Sequence, residues 1–323
     1  MPPTPPRCNM TFPVAHERLT RSAGVVILAV RPPYHLIRTL QCGQAFRWRV
    51  DGAGAAGMFS GRPVRIEQTA GGIAVWGLTA EKDLFGLRRY LGLDEPLASI
   101  EDRLQRDPVL RRIVPHTSGI ALMRQDQWEC LVSFIISAFN NMPKIELSLA
   151  RLTSRFGDPL GEGVWGFPGP QRLAGASLAD LRRCALGYRA PYVRGVARLV
   201  ASGEVNLHEL QHMSHAGARR TLLALPGVGE KVADCVLLFA CGSGEAFPVD
   251  VWVKRAVERW YFHGRRTTAR QIQEFARSRF GPLAGYAQQH LFYYIRERGN
   301  GGTRERAPAR ARARPQSGRR LPR

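Results

Sequence analysis

The stretch "TLLALPGVGEKVADCVLLFA", residues 221–240, constrains the architecture more than any other part of the chain. Two helix-forming runs meet at Leu225-Pro226-Gly227-Val228-Gly229, so the helices must turn back through a very tight connection. Gly227 and Gly229 supply backbone freedom and remove side chains that would hold another molecule off. Their amides, with the free N–H groups that open the second helix, form a concave anion site. On these five residues alone, an ordinary glycine-capped connection reads the same. Lys231 then stands in the first helical turn, where the helix dipole opposes a positive charge.

Charge says which anion to expect. The chain carries 47 Lys+Arg against 26 Asp+Glu, a net +21 with a pI near 10.9. From Gly301 onward eight arginines face Glu305 alone, which leaves about +14 on the body. A basic body favours a polyanion, either nucleic acid or an anionic membrane surface. No run reaches the roughly 18 apolar residues of a spanning helix. The opening "MPPTPPRCNM" lacks the apolar core of a signal peptide, so no membrane role is expected. The six cysteines are scattered, with no C-x-x-C pair, and read as reduced thiols of a cytosolic protein.

The text changes period along the chain. Residues 1–22 read as a flexible lead-in. From 23 to 110 the chain opens β-rich: "GVVILAV", "AFRWRV", "PVRIEQT" and "GIAVWGL" are strand-like, set apart by Gly/Ala-rich turns, with a short helix in "PPYHLIRTL". From Thr79 the period is helical, and 111–298 forms the helical region. "DQWECLVSFIISAF" is apolar nearly all round and is expected to be the central buried helix. "NLHELQHMSHAGARRTLLAL" reads as one helix. Residues 299–323 read as a disordered Arg-rich tail that solubilises the protein or touches phosphates without reading sequence.

Chemistry enters with Lys231 and Asp250. Dipole and burial favour the neutral lysine, a nucleophile able to attack an acetal-like carbon and form a Schiff base. Cys235 follows one turn later on the same face. Asp250, after Pro248-Val249, is a good N-cap for the next helix; it can also stabilise a developing cation or shuttle protons beside the lysine.

The combination L-P-G-V-G-x-K followed by P-V-D resembles the helix-hairpin-helix (HhH-GPD) DNA glycosylases, and the lysine marks their bifunctional branch. Six ordered segments narrow this to a resemblance to 8-oxoguanine DNA glycosylase/AP lyase: "CGQAFRW" (42–48), "RQDQWECLVSFIISAFNN" (124–141), "ALGYRAPYV" (185–193), "LPGVGEKVADCV" (225–236), "PVDVWVKR" (248–255) and "GPLAGYAQQHLF" (281–292). The resemblance covers roughly residues 24–298.

The resemblance implies an α+β fold: a TATA-binding-protein-like antiparallel β domain, then a two-lobed helical HhH-GPD region. It implies a base excision repair enzyme that flips 8-oxoguanine from duplex DNA, since a glycosidic carbon inside the stack is out of reach. Lys231 matches the Schiff-base nucleophile and Asp250 the catalytic carboxylate; β-elimination then nicks the abasic site. Gly43 matches a glycine whose carbonyl accepts the lesion's N7–H, which guanine lacks. Cys235 and Phe292 match the residues that sandwich the flipped base, and Gln288 the one bonding its Watson–Crick edge. Tyr188 and Arg189 match residues that wedge into the duplex and bond the orphaned cytosine. Gly227, Val228 and Gly229 match the phosphate-gripping hairpin, and Asn140, Asn141 and Trp252 fall among the expected DNA contacts.

Two positions depart from the family pattern. Phe139 stands where an asparagine fills the vacated stack, and Lys144 where an arginine often reads the cytosine. An aromatic stacks but cannot bond a base edge, and lysine lacks the bidentate fork. Relaxed selectivity for the opposite base is therefore expected. No cysteine follows Cys241, so no iron–sulfur loop of the endonuclease III kind is expected. No cofactor or metal is expected, the partner is double-stranded DNA carrying an oxidised purine, and the protein is expected to act as a monomer in the cytoplasm or nucleus. The rivals are an alkylated-base glycosylase of the same fold and a non-catalytic DNA-binding protein that kept the hairpin.

Overall fold

The computed structural model describes residues 24–161 and 163–300. The expected lead-in and nearly all of the expected tail lie outside the described residues. The first unit is a five-stranded antiparallel sheet in the order β1-β5-β4-β3-β2. Its strands are β1 (Val26–Leu28), β2 (Arg49–Asp51), β3 (Gly54–Phe59), β4 (Arg62–Thr69) and β5 (Gly72–Trp76). Helix α1 (Leu36–Gln41) lies between β1 and β2 in sequence. Val64 and Ile66 on β4, with Ile73 and Val75 on β5, alternate onto one buried face, which shares a core with Leu36 and Leu40 of α1. The Gln68 side chain ties sheet to helix: Oε1 accepts from the Leu36 amide at 2.7 Å and Nε2 donates to the Tyr34 carbonyl at 2.8 Å.

Strand β3 corrects the sequence reading, which took this Gly/Ala-rich segment for a turn. Gly57 within it carries no side chain because Trp48 lies across the strand there. A Cβ on Gly57 would come within 2.5 Å of that ring. The hairpin to β4 closes through Ser60-Gly61, both with positive φ, as a two-residue turn matching the strand twist requires.

Helices α2 (Glu81–Tyr90), α3 (Leu97–Leu104) and α4 (Leu110–Thr117) lead into the central α5 (Gln127–Ser137), which is buried from Cys130 to its end. Next come α6 (Met142–Phe156), a two-stranded ribbon of β6 (Pro159–Gly161) and β7 (Val164–Trp165), α7 (Pro170–Ala174), α8 (Leu178–Arg183) and α9 (Ala190–Ala201). Neither the ribbon nor α7 was expected from the sequence. The segment read as one helix over 206–225 is two: a 3₁₀ turn over Leu207–His212, then α10 (His215–Leu223). Ser214 breaks it, because its hydroxyl accepts the Gly217 amide at 3.2 Å and caps a new helix. The last four are α11 (Glu230–Phe239), α12 (Val251–Trp260), α13 (Ala269–Phe280) and α14 (Ala284–Asn300), so the boundary drawn at 299 falls inside a helix.

Helix α5 packs on α6, α9 and α11, while α14 packs on α4 and α12. The rings of Phe46, Phe134 and Phe239 run from the sheet-side loop through α5 to α11, with centroid spacings of 5.3 and 5.5 Å. Among the described residues no helix is long and apolar enough to cross a membrane.

Candidate active site

Helices α10 and α11 form the hairpin. Gly227 adopts φ +76° and lies beneath Tyr192, whose Cβ would stand 2.6 Å from any Cβ placed there. Gly229 is different: its φ is −94° and nothing lies within 4 Å of where its Cβ would be. Inside this molecule no contact requires a glycine at 229. The start of α11 has no side-chain cap, so its leading amides remain open to an anion. Val228 is buried and anchors the turn through its amide to the Leu225 carbonyl at 3.1 Å.

In the first turn of α11, Lys231 is half-buried and its Nζ donates to Ser137 Oγ at 2.8 Å. The same nitrogen stands 4.9 Å from the Phe134 ring centroid. Asp250 caps α12, its Oδ1 accepting the amides of Trp252 at 3.0 Å and Val253 at 2.8 Å. Burial pushes this carboxyl up from the ordinary aspartate value, against the pull of the Val253 amide and of Lys231. Lysine and carboxylate thus act on each other electrostatically from the starts of two successive helices. Cys235 is buried beside them, its thiol pushed up to about 12 by that burial, so it packs as a neutral group.

A second cluster brings the sheet-bearing unit to the last helix. Gly43 adopts φ +80°, and a Cβ there would meet Phe292 Cε1 at 2.8 Å. The contact lets the Gly43 backbone lie against the phenyl edge. Arg296 braces it, with its Cζ 5.2 Å from the Phe292 centroid and Nη2 donating to the Gln41 carbonyl. Gln44 anchors the same turn from below: its amide donates to the Ala121 carbonyl at 2.8 Å and accepts from the Met123 amide at 2.9 Å. Gln288 is buried one turn before Phe292 and accepts from Gln289 at 2.8 Å.

The residues expected at the DNA surface surround the end of α5. Phe139 is almost fully exposed on the α5–α6 turn, with Tyr188 beside it. Asn140 bonds back to the Ile136 carbonyl at 3.1 Å, and Asn141 caps α6 by accepting the Lys144 amide at 3.0 Å. The Lys144 side chain is exposed. Arg189, expected to bond a cytosine, is buried with its guanidinium on the carbonyls of Ala138 and Phe139. Trp252 is half-buried at the start of α12, with Arg255 5.5 Å from its ring.

Three side chains here escaped the sequence reading: Ser137, Phe134 and Arg296. Ser133 and Ser137, four apart in an otherwise apolar helix, were the available signal for the first. Among the described residues, no cluster of three His, Cys, Asp or Glu side chains could hold a metal ion.

Comparison with known proteins agrees with this geometry. A profile described as "8-oxoguanine DNA glycosylase, N-terminal domain" matches residues 27–131, and one described as "HhH-GPD superfamily base excision DNA repair protein" matches 132–282. A probable N-glycosylase/DNA lyase of Methanothermobacter thermautotrophicus is 36% identical over 60% of this chain and 69% of its own length. The N-glycosylase/DNA lyase OGG1 of Arabidopsis thaliana is 30% identical over 79% of this chain and 75% of its own. Among solved structures, the 8-oxoguanine glycosylase/lyase of Clostridium acetobutylicum, bound to double-stranded DNA with cytosine opposite 8-oxoguanine, superposes with a TM-score of 0.79 at 32% identity, covering 82% of this chain and 93% of that one. An antiparallel sheet followed by a helical hairpin that carries Lys231, with Asp250 opening the next helix but one from the hairpin turn's start, agrees with these matches in order and in shape: the chain belongs to the 8-oxoguanine DNA glycosylase family, the bifunctional N-glycosylase/DNA lyases of the HhH-GPD superfamily.

Proposed function

We propose that this protein excises 8-oxoguanine from double-stranded DNA through Lys231 and then cuts the strand at the abasic site. The observation that carries the reading is a half-buried amine and a partly buried carboxyl at the starts of successive helices, within reach of each other's charge, together with a glycine backbone laid against Phe292. The hairpin amides take the backbone phosphate, and the extruded base enters between Cys235 and Phe292. There the Gly43 carbonyl accepts the N7–H of the lesion. Guanine would set two acceptors against each other, an unpaired contact that costs about 1–3 kcal/mol.

Lys231 supplies the electron pair that bonds C1′ as the C1′–N9 bond breaks; that bond's electrons leave with the purine, which takes up a proton. Asp250 stabilises the positive charge that develops on the sugar. Loss of a proton from nitrogen and opening of the ring give the imine. Removal of a C2′ proton then expels the 3′ phosphate, and water hydrolyses the imine to return the amine.

The test is borohydride trapping on a duplex with 8-oxoguanine opposite cytosine, using wild type and Lys231→Gln. A covalent adduct from wild type alone supports the reading. Binding without adduct or cleavage would favour a non-catalytic protein or an enzyme for another lesion.

A further inference from the structure

Gln288, Phe292 and Arg296 stand four residues apart on α14 and form one stripe over three successive turns. With the base seated as proposed above, Gln288 meets its Watson–Crick edge and Phe292 its face. Arg296 braces the Gly43 turn through Nη2 alone, which donates to the Gln41 carbonyl and stands 3.9 Å from Glu297 Oε1. Its Nη1 has no hydrogen-bond partner among the described residues. That nitrogen lies 3.6 Å from where a Gly43 Cβ would be, a point that Phe292 Cε1 approaches to 2.8 Å. The free donor therefore borders the glycine backbone and the phenyl edge at once. The side chain keeps 16% of its surface open, so the donor is not sealed off. Its charge also favours the ionised form of Asp250, which places the guanidinium within electrostatic reach of the reacting sugar.

A purine seated this way turns its imidazole edge, opposite the Watson–Crick edge, toward Gly43 and Arg296. On 8-oxoguanine that edge carries N7–H beside the C8 carbonyl, a donor next to an acceptor. Guanine carries a bare N7 acceptor beside a C–H. The Gly43 carbonyl can answer only the donor. A guanidinium N–H gives and never accepts, and it stays charged, so an acceptor is the one partner Nη1 can take. Bond breaking supplies a second reason for a cation here. As the C1′–N9 bond opens, its electrons pass to N9, which is bonded to C8, and the charge is shared with O8. A positive group beside O8 stabilises the departing base.

We propose that Arg296 is a second reader of the lesion: its Nη1–H donates to O8 while the Gly43 carbonyl accepts from N7–H. The two together set the choice of oxidised over ordinary guanine, and the Arg296 contact strengthens as charge moves from N9 to O8. This rests on the excision activity proposed above.

Removing the nitrogen at position 7 isolates O8. 7-Deazaguanine and 8-oxo-7-deazaguanine both carry C7–H, so the Gly43 carbonyl meets the same group in each and only O8 differs. Affinity for duplexes holding either base opposite cytosine is measured with wild type, Arg296→Leu and Arg296→Lys. Wild type should prefer the 8-oxo probe by about tenfold, the scale of a hydrogen bond to a charged group. Arg296→Leu should bring that ratio to near one and Arg296→Lys should restore part of it. All three should bind a duplex with an abasic-site analogue alike. A side chain that only braces the Gly43 turn would weaken both probes together and leave the ratio as it was. That outcome, or a wild-type ratio near one, overturns the proposal. Single-turnover excision of 8-oxoguanine should also slow about tenfold or more in Arg296→Leu, and an unchanged rate refutes the contact. If wild type excises no 8-oxoguanine, the activity proposed above fails. An O8-dependent affinity that Arg296→Leu abolishes would then still support the contact, and its absence would refute both.

Discussion

Lys231 Nζ donates to Ser137 Oγ across 2.8 Å, joining the first turn of α11 to the last residue of α5. The hydroxyl aims the amine. Ser137→Ala should leave duplex affinity unchanged and slow the chemical step by about tenfold, the scale of one hydrogen bond to a charged group. Single-turnover kinetics on a lesion duplex checks this; an unchanged rate would show that Phe134 alone orients the amine.

Asp250 combines capping with chemistry, and two variants separate the roles. Asp250→Asn keeps a capping oxygen, so thermal stability should hold while excision falls by about 100-fold or more, as when a preorganised charge stabiliser is lost. Asp250→Ala should also lose about 1 kcal/mol of stability, as a lost cap does. The active form is the carboxylate, and burial raises its pKa. The acid limb of the rate profile should therefore lie above the ordinary aspartate value of about 4. A limb at or below that value would contradict the geometry.

The two hairpin glycines should separate cleanly. Gly227→Ala meets both a positive φ and the Tyr192 side chain, and should lower the melting temperature. Gly229→Ala meets nothing inside the protein, so its stability should match wild type while affinity for an abasic-analogue duplex drops. Equal affinity would remove the phosphate from this turn.

Asp234 is buried on α11 and pushed up to about 6 by that burial, in spite of Arg219 at 3.0 Å. The folded carboxyl keeps its proton where the unfolded one has lost it. Its contribution to stability is therefore highest below the ordinary value of 3.8 and declines as pH rises to about 6. The melting temperature of wild type minus that of Asp234→Asn should fall between pH 4 and 7 by calorimetry; a constant difference would mean the carboxyl ionises normally.

The hairpin, the buried α5 and the cap at Asp250 were legible because each rests on local chemistry: glycine spacing, an all-round apolar run, an aspartate before a helix. Strand β3 was not, since Gly57 at its centre answers to Trp48, outside the strand itself. Ser214 was a local signal passed over in a segment whose average propensity favours helix. Arg296 was beyond reach for another reason. Nothing near it in sequence announces that its partner is the Gln41 carbonyl, 255 positions away. The type of Arg189 suggested an outward contact, and only three dimensions show it bonded inward.

That distance between Arg296 and Gln41 has a bearing on how the protein is made. Synthesis proceeds from the N-terminus, so the glycine turn, the hairpin and the lysine all leave the ribosome before the helix that braces them. A nascent chain halted before α14 carries the nucleophile but lacks Gln288, Phe292 and Arg296, and has no seat for a base. Completion of the base pocket therefore waits on α14, although the amine itself has been made well before that helix.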